Sequence, residues 1–339
     1  MPPPYERIHW NLIDKQELRP YLKPSPWHWL GAAALEWTII AATIWVCNAY
    51  NFWWLWVAGF FLIGTRQHAL GVLAHDGSHH LVARSLFWND LLSNLFSAYP
   101  LTFTVQGFRS MHLKHHWYLE TPADPSKITI DHHPKEWTFP MSKSTLIGMF
   151  LRDLTGLSQK SSASLLGYLW EIPGGRAVHI VRLVSLHGFF IVLSAVTGYI
   201  WSYLLLWIAP LFTVAMACYR VRSIAEHSAI GLQRDRYARK EVDSLITTRT
   251  TLGSPILGFL FAPYHISYHI EHHLYPYVPV FRLPKIHARL RNNPTYLSKA
   301  HITRGYLQLF RELLGPQDLN NTDQGHRLLV GRQIQNRER

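Results

Sequence analysis

From Leu183 to Tyr219 the chain runs for 37 positions without an Asp, Glu, Lys or Arg. A helix of that length measures about 55 Å, and one bilayer crossing needs only about 20 residues. The run therefore reads as two membrane spans, at about 182–198 and 201–221, with the turn in "VTGYIWSY". Two apolar runs upstream predict spans at about 29–48 and 51–74. Trp27, Trp29, Trp53, Trp54 and Trp201 fall at the predicted span ends, where amphipathic rings favour the membrane interface. Four such runs exceed ordinary soluble helices, so the expected fold class is an all-α membrane protein with four transmembrane helices and a cytoplasmic helical cap. Glu36 is the exception, a carboxylate inside the first span that must face another helix or lie shallow.

Charge sets the expected orientation. The connections "CNAYNF" and "VTGYIW" contain no Lys or Arg, whereas Arg7, Lys15, Arg19 and Lys23 crowd the N-terminal tail. The positive-inside tendency then turns both short connections away from the cytoplasm and puts the polar segments, with any active site, on the cytoplasmic face. The division that follows is a cytoplasmic tail over 1–26, a membrane and cap domain over 27–314, and a polar tail over 315–339. Leu91 to Phe108 is also charge-free but is broken at Pro100, so it reads as re-entrant or interfacial, as does the amphipathic "STLIGMFLRDLTGL". The formal charge of +12 is spread over several segments without a nucleic-acid motif, which favours anionic lipid or an acidic redox partner over nucleic acid. Two cysteines, Cys47 and Cys218, exclude a disulfide framework. The charged N-terminal tail is followed by no small-residue cleavage site, so no cleavable signal peptide is expected.

Three histidine clusters carry the chemistry. In "HDGSHH", His75 and His79 are four apart; "HLKHH" places His112, His115 and His116 at i, i+3 and i+4; and "HIEHH" repeats that spacing with His269, His272 and His273. Such spacings converge imidazoles from one helix face, as a metal requires. The second span carries His75 out past a hydrocarbon core of about 30 Å, and the fourth carries His227 of "RSIAEHSA" to a similar depth, which makes His227 the ninth candidate ligand. Nine imidazoles exceed one coordination shell, so two ions are expected; zinc hydrolysis is a possible reading, but iron, which accepts imidazole readily and can bind and activate oxygen, suits a site at the membrane surface. Asp76, Glu226 and Glu271, each beside a ligand, are candidates to accept a second ring N–H. Asp124, before Pro125, reads as a turn residue. His187 reads as a helix-packing or substrate-tunnel residue.

As a set, "HDGSHH", "HLKHH", "YHIEHHLYP" and the histidine of "RSIAEH" resemble the membrane fatty acid desaturase and hydroxylase superfamily over roughly Trp27 to Leu290. The resemblance implies a non-haem di-iron enzyme that uses dioxygen and two external electrons to cleave an unactivated C–H bond of an acyl lipid or thioester. Desaturation is the expected outcome; hydroxylation, carotenoid ketolation and alkene formation are the related alternatives, and a metal transporter or sensor is the remote one. The chain lacks the "HPGG" haem motif of fused relatives, with only "EIPGGR" similar to it, so a separate donor such as ferredoxin, rubredoxin or cytochrome b5 is expected. His80 lies at i+5 from His75, and His265 lies four before His269 on the same stripe; both are expected outside the first ligand shell.

Overall fold

The computed structural model describes residues 6–156, 168–169, 171–227 and 241–314; the expected tail over 315–339 lies outside them. The architecture is helical, with four helices among the described residues long and apolar enough to cross a membrane: Pro26–Tyr50, Trp53–Ser78, Arg176–Val196 and the composite Ile200–His227. Each runs beyond its expected bounds at one or both ends. Pro26 starts the first, where its missing N–H costs nothing, and Asn51 in the left-handed region ends it. The fourth is not one regular helix. A π-turn at Leu204–Ile208, Pro210, and non-helical angles at Thr213 divide it before Val214–His227 begins.

The first and second spans pack on each other, and the second is also crossed by Val214–His227. A Cβ on Gly64 would overlap Val214, so the small residue permits that approach. Between these helices Trp29, Ile40, Ile63, Leu70, Leu206 and Leu211 form one apolar cluster. A second cluster fills the cap, with Leu245, Ile266, Ile270, Leu283, Ile286 and Tyr296 at its centre. Trp27, Trp53, Trp54 and Trp201 are exposed at span ends as the interface argument requires, but Trp29 is buried and donates from Nε1 to the Leu73 carbonyl at 3.0 Å. It is a core residue, not an interfacial one.

No continuous helix covers 91–108. Leu86–Ser93 gives way to a π-turn at Asn94–Ala98 and a 3-10 turn at Tyr99–Leu101, then Thr102 in the left-handed region. The chain restarts in Val105–Tyr118, whose cap Thr104 accepts from the Gly107 N–H at 3.1 Å. Lys143–Leu154 buries Leu146 and Met149 while exposing Ile147 and Leu151. Two short parallel strand pairs, Glu6–Arg7 with Glu241–Val242 and Arg249–Thr251 with His301–Thr303, tie the cap together.

The third span has no buried residue. His187 attaches it to the body, its Nδ1 2.7 Å from the Tyr203 hydroxyl and its Nε2 3.0 Å from the Tyr99 carbonyl, so it is a helix-packing residue.

Candidate metal centre

The clusters arrive on four separate elements. His75 ends the second span and His79 caps it; His112, His115 and His116 line Val105–Tyr118; His227 ends the fourth span; His269, His272 and His273 occupy the short helix His269–Leu274. These elements meet, and their rings form two groups: His75, His79, His112 and His272; and His115, His227, His269 and His273. Within each group the ligating atoms lie within 4.8 Å of one another. His116 bridges them, with Nε2 at 3.0 Å from His112 Nε2 and 2.9 Å from His272 Nε2 and its ring 4.1 Å from that of His273. All nine candidates therefore converge, from positions separated by as many as 198 residues, His75 to His273.

Nitrogen faces nitrogen throughout. His75 Nε2 is 3.1 Å from His272 Nε2, and His269 Nε2 is 2.9 Å from His227 Nε2 and 3.0 Å from His273 Nε2. Burial, then the neighbouring imidazoles, hold His112, His116, His269, His272 and His273 well below the ordinary histidine range; burial with His80 and Arg109 brings His79 down to about 3. Neutral rings turn lone pairs toward one another, and neither nitrogen of His79 meets a hydrogen-bond partner. A cation between those lone pairs satisfies them, so the donor set fits a pair of imidazole-liking ions.

Around the rings, the carboxylates divide. Asp124, expected only as a turn residue, does both jobs: it caps Pro125–Asp131 by accepting from the Ser126 N–H, and its two oxygens lie 2.9 and 3.0 Å from His115 Nδ1. Burial lowers His115, but the Asp124 charge and hydrogen bond outweigh it and raise this ring above the ordinary value. His115 Nε2 is left pointing into its group without a partner, the tautomer a metal ligand needs. The sequence signal was present in the pairing of an Asp with an imidazole nine residues earlier, but nothing local fixed the turn between them.

Of the three carboxylates expected beside ligands, two stand elsewhere. Glu271 points away from the rings and accepts from Thr250 at 2.6 Å, His287 at 2.6 Å and Tyr296, because successive helical residues diverge by about 100°. Asp76 faces the backbone N–H of Val280 at 3.4 Å. Glu226 pairs with Arg222 at 2.6 Å and lies 3.5 Å from His269 Nδ1, so of the three it alone approaches a candidate ligand ring. His80 and His265 turn outward and are exposed, in left-handed conformations (φ 60° and 69°). The stripe expected from His265 to His269 does not form, since the helix begins only at His269.

Arg109 was not foreseen. From the second-cluster helix it donates to the Ser78 carbonyl at 3.0 Å and the Gly77 carbonyl at 2.9 Å, closing the end of the helix that carries His75. Asp90 holds the guanidinium from behind at 3.1 and 2.5 Å.

A helical chain with four candidate membrane spans, whose histidines meet in two groups able to hold metal, has the form of a membrane metalloprotein. The chain belongs to the fatty acid desaturase family, whose profile matches residues 51–305. It is also similar to dihydrorhizobitoxine desaturase of Bradyrhizobium elkanii, with 27% identity over 321 residues, covering 87% of this chain and 84% of the relative.

Proposed function

We propose that this chain is a di-iron, dioxygen-dependent desaturase that introduces a double bond into a long-chain acyl lipid or thioester. The observation that carries it is the division of neutral imidazole nitrogens into two adjacent groups, with His116 between them. In this reading His75, His79, His112 and His272 hold one ion, His115, His227, His269 and His273 the other, and His116 completes the first shell. Bound iron would supply the one-electron chemistry that activates dioxygen. The chain's part is to hold most of the rings neutral, fix His115 through Asp124, and exclude water by burying most of the ligands. The balance is one dioxygen, two electrons and two protons consumed, two C–H bonds broken and two waters released. The electrons come from a separate carrier protein of the ferredoxin, rubredoxin or cytochrome b5 kind.

Desaturation is preferred within the superfamily because the relative from Bradyrhizobium elkanii is named as a desaturase. Its substrate belongs to that protein; for this one, the four candidate spans and membership of the fatty acid desaturase family favour a lipid chain. The cytoplasmic placement of the histidines follows from the Lys and Arg of the N-terminal tail.

The purified, reduced protein is expected to carry about two irons and, given an acyl lipid or acyl thioester with oxygen, to yield a product two hydrogens lighter by mass spectrometry. A product heavier by one oxygen assigns hydroxylation instead. Exchangeable zinc or nickel with no oxidised product removes the enzymatic reading.

A further inference from the structure

Glu36 is buried within the first span, and the structure shows what it meets. Arg66 of the second span, also fully buried, places Nη1 at 3.3 and 3.4 Å from the two Glu36 oxygens. The Tyr264 hydroxyl donates to Glu36 Oε1 at 2.5 Å and approaches the Ala32 carbonyl at 3.3 Å. Arg66 also donates from Nη2 to the Phe259 carbonyl and lies over the Phe259 ring, and His68 Nε2 lies 3.3 Å from the Phe261 carbonyl. Apart from the Glu36–Arg66 pair itself, each of these contacts reaches the stretch 259–264, directly ahead of His269.

That stretch needs holding. Tyr264 and His265 are consecutive non-glycine residues in the left-handed region, at φ 57° and 69°. Such conformations persist only where the surroundings over-determine them, and they gather at functional sites. Here the kink turns the chain out of the helix Pro255–Phe261 and into His269–Leu274. Polar groups inside a membrane domain are costly unless they do something, and packing two spans together does not require an ion pair.

We propose that Glu36, Arg66 and Tyr264 form an intramembrane anchor that positions the third histidine cluster against the other two. They touch no ligand ring and act through the backbone, so they are positioning residues. The consequence for metal rests on the reading of the nine histidines as ligands. Since His272 belongs to one group and His269 and His273 to the other, loosening the anchor weakens both sites.

Tyr264→Phe is the discriminating change, because it removes one hydroxyl and leaves the Glu36–Arg66 pair intact. Tyr203→Phe is the control, since its hydroxyl bonds His187 at a span contact that includes none of the nine candidate ligands. In full-length protein, Tyr264→Phe is expected to release iron to a ferrous chelator at least about 10-fold faster than wild type, with Tyr203→Phe unchanged. In metal-free protein, hydrogen–deuterium exchange is expected to rise over 265–275 and to stay at the wild-type level over 105–118. Unchanged exchange over 265–275 overturns the anchor. Raised exchange with unchanged iron release, or equal release from the two variants, overturns its positioning role. A wild type that binds no iron would instead sink the metal reading, and the exchange comparison still decides the anchor. If Tyr264→Phe is not recovered folded, Arg66→Lys, which keeps the charge but loses the fork onto Phe259, supplies the same two readouts.

Discussion

A single carboxylate decides how His115 presents itself. Asp124 accepts a hydrogen bond from the Nδ1–H of that ring and leaves Nε2 free to ligate, while also accepting from the backbone N–H groups of Glu120 at 3.0 Å and Ser126 at 2.9 Å. Asn at this position retains an acceptor for the turn but not the charge that makes the imidazole a better donor. Asp124→Asn is therefore expected to weaken metal at the His227 group by about 10- to 100-fold while the protein stays folded, read as iron per chain against the melting temperature. Residue identity and spacing made eight of the nine imidazoles legible, because i, i+3 and i+4 on a helix put side chains on one face, and the ninth, His227, came from the depth at which the fourth span ends. They did not make their supports legible. Glu271 lies beside His272 in sequence and turns to Thr250, His287 and Tyr296, whereas Asp124 lies nine residues from His115 and bonds it. Adjacency along the chain says little about adjacency around a ring.

At the level of elements, the second span and the second-cluster helix are joined by Arg109. Its guanidinium is the only group shape that can take the Gly77 and Ser78 carbonyls and both Asp90 oxygens together, since lysine offers one point charge and no fork. Close approach depends equally on Gly77, where a Cβ would collide with Ser93. Arg109→Lys should let the end of the second span shift against Val105–Tyr118. The His75 group draws on both elements, whereas the His227 group takes nothing from the second span. The expected outcome is a fall from about two irons to about one, checked by metal analysis together with Mössbauer spectra of the retained ion. An unchanged count refutes the link. Span existence could be read from apolar length, even with Glu36 and Arg66 inside two of the runs, but the π-turn at Leu204–Ile208 and the break at Thr213 could not, because local hydropathy does not register how a helix is wound.

Across the whole molecule, the site joins four stretches of chain that are far apart in sequence, so its electrostatics bear on global stability. The sign follows from neutral burial. His79 titrates near 3 in the fold and near 6.5 when unfolded, and its stabilising contribution is complete above about 6.5 and is lost as pH falls toward 3. For this one ring the loss amounts to about 2 kcal/mol at pH 5. His112, His116, His269, His272 and His273 shift in the same direction and add to it. His115 runs the other way: its raised value gives stability present below about 6.5 and lost as pH climbs through the folded value, which only partly offsets the rest. Metal-free protein in detergent is thus expected to lose melting temperature steadily from pH 7 to pH 5. Iron, bound only by the assembled and neutral rings, should raise the melting temperature at pH 7, by the equivalent of about 4 kcal/mol at a thousandfold excess over its dissociation constant, and by less at pH 5, where protons compete for the same lone pairs. His116→Ala, which removes the ring between the groups, should abolish most of that iron-dependent increment while leaving the metal-free melt at pH 7 near wild type or above it, since one crowded neutral imidazole is gone. A metal-free melting temperature flat between pH 7 and pH 5, or an iron increment that survives His116→Ala intact, would show that the rings are held by packing with the surrounding helices and not by the charge they enclose.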